Sequence, residues 1–125
     1  MEELDTFFFD TYALFEIVHK NKSYEKYTHE ITMITTKLNV MELHYALLRL
    51  YGKEIAEKAF TKFTEFCVDF TDDEIKEASE FRFKNYKRDL SYIDCLGYTM
   101  AIKRGYKFLT GDTQFAHFED VEFVK

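Results

Sequence analysis

Four acidic residues of this 125-residue chain abut strongly apolar sequence: Asp10, Glu42, Asp94 and Asp112. Asp10 ends the run Phe7-Phe8-Phe9, and Glu42 lies early in a helical stretch after Asn39. Asp94 falls within Ser91-Tyr92-Ile93-Asp94-Cys95-Leu96, and Asp112 closes Leu109-Thr110-Gly111-Asp112. The chain holds 23 Asp and Glu, so position rather than number carries the signal. An ionised carboxylate beside a core is costly unless it is paired or bound to metal. Two such charges at about 4 Å repel by ~4 kcal/mol at an effective dielectric of ~20. The remedies are protonation of one acid or a divalent cation. Carboxylate oxygens suit Mg²⁺ or Mn²⁺, which keep several waters and bind phosphate oxygens. Such a site can lower the pKa of a bound water and stabilise in-line displacement at phosphorus. Other chemistries lack their residues: His19, His29, His44 and His117 are scattered, and Cys67 and Cys95 show no zinc-ligand spacing. There is no Ser/His/Asp arrangement and no Gly-rich phosphate loop.

The four acids are unequal. Asp10 directly follows one apolar run, and Asp112 follows another, Tyr106 to Thr110, by two residues. In a parallel α/β sheet, sites form beyond the carboxyl ends of the strands, so both should project from one edge. Each alone would serve equally as a helix N-cap. Asp94 shares a helix face with Gly97, Tyr98 and Ala101, at about 100° per residue. The small residues imply close packing on a sheet, which leaves a structural hydrogen-bond acceptor as the weaker reading of Asp94. Glu42 borders an apolar arc, where an acid by itself is more often a boundary ion-pair partner.

The elements that must position these acids follow from periodicity. Leu4 and Phe7 to Phe9 read as a short buried strand, and Thr11 opens a helix with Ala13, Leu14, Ile17 and Val18 on one face. A second short helix is expected over 21–29 and a strand over 31–34. Asn39 reads as the N-cap of a helix with Leu43, Ala46, Leu47 and Leu50 inward, stopped by Gly52. Another helix, 53–63, should turn Ile55, Ala59 and Phe60 to the core. Residues 66–70 read as a strand, and Thr71 with Glu74 as a capping box opening a helix that runs to about Lys87. A helix over 91–104 ends at Gly105; strands over 106–110 and 121–124 flank a helical turn from Asp112 to about His117. Apolar strands alternating with helices specify an α/β sandwich around a mostly parallel sheet.

Composition agrees. With 46% hydrophobic and 18% aromatic residues the chain is globular, and 125 residues make one domain, 1–125. The absence of Pro and the presence of only four Gly argue against a loop-rich all-β chain. A net charge of −6 does not favour nonspecific nucleic-acid binding, so such a substrate would need a local basic rim or a bound metal. Unpaired thiols, no basic leader and no apolar run of membrane-spanning length point to the cytoplasm.

At these residues the chain resembles the PIN-domain ribonucleases, especially the small toxins of VapBC-type toxin–antitoxin pairs, over nearly its full length. Phe9-Asp10-Thr11, Glu42-Leu43, Ser91-Tyr92-Ile93-Asp94 and Leu109-Thr110-Gly111-Asp112-Thr113-Gln114-Phe115 match the family's four motifs in order. The resemblance implies a PIN-like three-layer α/β/α sandwich and an endoribonuclease dependent on Mg²⁺ or Mn²⁺. Asp10, Glu42, Asp94 and Asp112 would be its acidic quartet, with Thr11 and Thr110 in supporting hydroxyl positions. Asn39 stands where many relatives have Ser or Thr. Arg82, with Lys84, Lys87 and Arg88, could supply the basic rim, although a charge run on a helix is usually a solvated face. The family also implies a homodimer and an antitoxin partner, with Tyr24 and Tyr27 as candidate docking surface.

Three rivals share features with this reading. A haloacid dehalogenase-type phosphatase needs an acid two residues after Asp10, and position 12 is Tyr. A receiver-type signalling domain wants an extra acidic pair by the first strand and a late Lys-Pro, and the chain has no Pro. A PIN-like module without catalysis would not need all four acids.

Overall fold

Three consecutive phenylalanines set the layering. Side chains alternate along a strand, so Phe7 and Phe9 point to one face of the sheet and Phe8 to the other; all three are buried. The computed structural model of the protein describes residues 3–125. Its strands are β1 (Thr6–Phe9), β2 (Thr32–Ile34), β3 (Lys107–Thr110) and β4 (Val121–Phe123). Its helices are α1 (Thr11–Val18), α2 (Lys37–Tyr51), α3 (Lys53–Thr64), α4 (Asp72–Lys84) and α5 (Tyr92–Arg104). Short 3₁₀ segments occupy Lys22–Tyr27 and Thr113–Phe115.

Phe7, Phe9 and Leu109 pack against Leu14 of α1, Leu43 and Leu47 of α2, and Phe63 of α3. Phe8 and Phe108 pack against Ala78 of α4 and Cys95, Tyr98 and Ala101 of α5. Helices therefore cover both faces, giving three layers. The sheet order is β2-β1-β3-β4 and every pairing is parallel, so the expectation of a mostly parallel sheet becomes an entirely parallel one. From β1 the chain goes out to β2 on one side and returns to β3 on the other. The carboxyl ends of β1 and β3 thus flank the switch point where α/β folds form sites.

Several local expectations shift. Leu4 lies outside β1 and is 56% exposed. Helix α2 begins earlier: Thr36 is extended and its hydroxyl accepts from the Asn39 N–H, so Thr36 is the N-cap and Asn39 lies in the first turn. Thr and Asn are near-equivalent caps, and the residue leaving the strand in extended conformation takes the role. Residues 66–70 do not form a strand. They contribute a single parallel bridge, Cys67 to Thr35, beyond the end of β2. On α3 the inward face is Ala56, Ala59 and Phe63, whereas Ile55 and Phe60 are exposed, as is Leu50 on α2. Small residues there let α3 approach α2 closely. Helix α4 stops at Lys84, because the Asn85 side chain turns back to donate to the Phe81 carbonyl.

The remaining ties hold α4 to α5. Glu74 closes the α4 capping box with Thr71 and also accepts two bonds from Arg104, each 2.8 Å. The Arg104 guanidinium holds the buried Glu74 carboxyl down to about 2. Gly97, mid-α5, lies directly over the Phe8 and Phe108 rings, where a Cβ would come within 2.7 Å of the Phe8 ring. Among the described residues no helix is long and apolar enough to cross a membrane.

Candidate active site

Asp10 is the buried centre of the site, at 3% exposure. It caps α1: its Oδ1 accepts from the Ala13 N–H at 2.8 Å. Its Oδ2 accepts from the Thr110 hydroxyl at the end of β3. Thr110 in turn accepts the Asp112 N–H at 3.0 Å, which fixes the direction in which it donates. Two neighbouring parallel strands and the loop after β3 are thereby locked around one carboxylate. Gly111 lies between the Tyr12 ring and the Val124 carbonyl, with no space for a Cβ. Only glycine lets the chain pass from Thr110 to Asp112 here.

The other three acids are each held by the chain's own donors. Glu42 Oε1 accepts from the Thr11 hydroxyl at 2.5 Å. Asp94 and Ser91 form a reciprocal capping box at the start of α5, with both bonds at 3.0 Å. The structural hydrogen-bond role, the weaker reading of Asp94 from sequence, is therefore present. Asp112 caps the 3₁₀ turn, its Oδ1 accepting from the Gln114 N–H at 2.9 Å. An ionised carboxylate has about four lone-pair sites, so these bonds orient the acids without exhausting them.

The acids act on one another electrostatically. Burial pushes Asp10 up to about 8, against its bonds from Thr110 and Ala13, and the charges of Asp94 and Asp112 push the same way. Burial and the Asp94 charge raise Glu42, opposed by Thr11. Asp94 is raised by burial, opposed by Ser91, and raised again by Asp112 and Asp89. Among the described residues no three His, Cys, Asp or Glu side chains are already drawn together as a ligand set. Each acid rests on its own cap or hydroxyl. The donor set is all carboxylate oxygen and partly desolvated, and it fits a hard divalent cation.

Three further residues connect to these acids: Thr35 and Thr36, which sequence reasoning missed, and Asn39, which it read only as a cap. Asn39 is buried; its Nδ2 donates to Thr11 at 3.2 Å and its Oδ1 accepts from Thr36 at 2.6 Å. The chain Thr36–Asn39–Thr11–Glu42 sets the Glu42 carboxylate. Thr35 ties the edge together by donating to the Phe9 carbonyl at 2.8 Å. The pair Thr35-Thr36 between two apolar stretches is the sequence signal that points to them. Thr11 and Thr110, the expected supporting hydroxyls, each donate to one of the acids, Glu42 and Asp10 respectively. Arg82 is not a solvated charge: its Nε donates to the Leu90 carbonyl at 3.1 Å and its guanidinium lies over the Tyr92 ring. Tyr24 and Tyr27 are core rather than docking surface. Both are buried, and their hydroxyls donate to the Val124 carbonyl and to Glu122. A cavity of about 500 Å³ opens at the opposite, amino-terminal edge of the sheet beside Thr6 and Lys107, away from all four acids.

The sequence profile of the PIN domain matches residues 7–121. No curated protein is significantly similar in sequence. Among solved structures, the toxin VapC20 of Mycobacterium tuberculosis, described as cleaving the sarcin–ricin loop, aligns with a TM-score of 0.81 at 18% identity, covering 95% of this chain and 99% of that one. A chain of DNA-bound VapBC from Salmonella typhimurium aligns at 0.72 with 18% identity, covering 97% of each. VapBC2 of Rickettsia felis, bound to a promoter DNA fragment, aligns at 0.72 with 16% identity, covering 96% of this chain and 99% of that one. At such identities the likeness is one of fold.

Proposed function

Since the chain belongs to the PIN domain family, we propose that it is a metal-dependent endoribonuclease, the toxin of a VapBC-type toxin–antitoxin pair. One observation carries the reading: at the carboxyl edge of a parallel sheet Asp10, Glu42 and Asp94 are each raised by burial and, beyond that, Asp10 by the charges of Asp94 and Asp112, Glu42 by that of Asp94, and Asp94 by that of Asp112. Asp10, Asp94 and Asp112 would hold Mg²⁺ or Mn²⁺, with Glu42 assisting or holding a second ion. A cation bound there supplies charge neutralisation at a phosphate and a more acidic water. The chain's own residues do the rest. Thr110 donates to Asp10 and keeps its lone pairs aimed, and Asn39 through Thr11 does the same for Glu42. The hydrophobic floor of Phe9 and Leu109 excludes water beneath the acids. The family's nuclease character, and the likeness in fold to VapC20, a toxin that cleaves the sarcin–ricin loop, support this reading. The same reading places this single domain, 1–125, in the cytoplasm as a homodimer silenced by an antitoxin, consistent with its two free thiols.

The test is cleavage of RNA with Mg²⁺ or Mn²⁺ by wild type, Asp10→Asn and Asp94→Asn. Loss of partners behind metal ligands already costs about 10- to 100-fold, so each ligand substitution should cost at least as much. Equal cleavage by all three proteins, or none by wild type, would sink the assignment.

A further inference from the structure

We propose that Tyr92, backed by Arg82, is a stacking platform for an unpaired nucleobase of the RNA; the inference rests on the nuclease reading and adds the form of the substrate. Helices α4 and α5 run antiparallel, with Arg104 on Glu74 and Lys103 on Glu77 at one end and Arg82 on Tyr92 at the other. The carboxyl end of α4 and the amino end of α5 therefore meet at the edge of the sheet that carries the acids. Tyr92 lies two residues before Asp94. The residue is 70% exposed. The Arg82 guanidinium is nevertheless 4.2 Å from the ring centroid, and Arg82 is anchored to the Leu90 carbonyl. A ring held on one side by a tethered cation and open on the other is ready for a flat partner, because little remains to be ordered on binding. Aromatic rings interleaved with cations are how single-stranded nucleic acid is held, by base stacking beside phosphate neutralisation.

Charge complementarity at this corner favours RNA as the occupant. Residues 82–91 carry four cations, Arg82, Lys84, Lys87 and Arg88, against one acid, Asp89, in a chain of net charge −6. Among the described residues none of the four cations is in an ion pair. Arg88 Nη1 donates to the Gln114 carbonyl at 3.4 Å, two residues beyond Asp112, so the basic corner reaches from Asp94 to Asp112. Exposed Phe83 and Tyr86 on the same corner add further rings. A paired strand keeps its bases stacked internally and cannot use the platform, whereas a loop or unpaired end can.

The experiment uses wild type, Tyr92→Ala and Tyr92→Phe in EDTA, so that no strand is cut. The probes are a short single-stranded RNA carrying the fluorescent base 2-aminopurine and the same strand fully paired. Wild type and Tyr92→Phe should bind the single strand and quench the base. Tyr92→Ala should weaken that binding about tenfold, as expected for one lost stack, and abolish the quench, with duplex binding alike in all three. Equal single-strand affinity in Tyr92→Ala and wild type, or no binding by wild type, overturns the platform. A protein segment as the true occupant of Tyr92 would give that same equal affinity. Cleavage by the Mn²⁺-loaded wild type is scored separately. Cleavage with Tyr92-independent binding removes the platform and leaves the nuclease, whereas Tyr92-dependent binding without cleavage does the reverse.

Discussion

Asp10 shows what a single residue contributes. Both of its oxygens are hydrogen-bonded and it is 3% exposed, yet desolvation outweighs those bonds and pushes it from 3.8 up to about 8. The sign of the linkage follows. The unfolded chain releases this proton near 3.8 and the folded chain keeps it to about 8, so the folded state binds more protons in between. The contribution of Asp10 to stability is full below the unfolded value and is lost as pH rises through the folded one. In the presence of a chelator, melting temperature should therefore fall between about pH 5 and about pH 8 in wild type. Asp10→Asn should flatten that fall, because its amide can accept from Ala13 and donate to Thr110 without a charge. Parallel slopes in the two proteins would show that Asp10 is not the titrating group.

At the scale of the element, α5 brings the site to the sheet. Its start is set by the Ser91–Asp94 box and its end by Gly105 in the left-handed conformation, φ 75°. Between them Gly97 costs the helix about 1 kcal/mol relative to Ala. The reason to keep it is the approach to Phe8 and Phe108, two fully buried rings that stack on each other and leave no slack. Gly97→Ala should thus destabilise the protein by about 1–3 kcal/mol through overpacking, read as a lower denaturation midpoint at unchanged slope. Cleavage should fall with it, since Asp94 rides on the same helix. A gain in stability, the usual result at an open helical Gly, would mean that α5 does not sit so close.

At the scale of the whole molecule, the fold gathers negative charge at one edge of an already acidic chain. A ligand that binds only the folded state stabilises it by mass action, about 2.7 kcal/mol at a concentration 100-fold above Kd. Millimolar Mg²⁺ or Mn²⁺ should accordingly raise the melting temperature of wild type, by several degrees for a domain of this size. Asp10→Asn should respond less. Equal shifts in both, or no shift in either, would count against a cation held by this edge.

What the chain determined by itself is local. The run Phe7-Phe8-Phe9 with Asp10 after it, the Thr71–Glu74 box, the Gly105 stop and the acid two residues beyond Thr110 are all read within a few neighbours, and the structure has each element there. A mostly parallel sheet follows from the same alternation of apolar strands and helices; the structure makes every pairing parallel. Only the tertiary structure decided what depends on distant partners. Thr110 meets Asp10 across 100 residues and Thr11 meets Glu42 across 31. Asn39 reads as a cap until Thr36 takes that role and frees its amide for Thr11. Tyr24 and Tyr27 become core because Val124, just past the last strand, and Glu122 within it supply acceptors for their hydroxyls. Residues 66–70 have the composition of a strand but find only one bridging partner. The side chains that could do chemistry are legible in order along the chain; the hydroxyls and amide that aim them are not, because a hydrogen bond between remote residues leaves no period in the sequence.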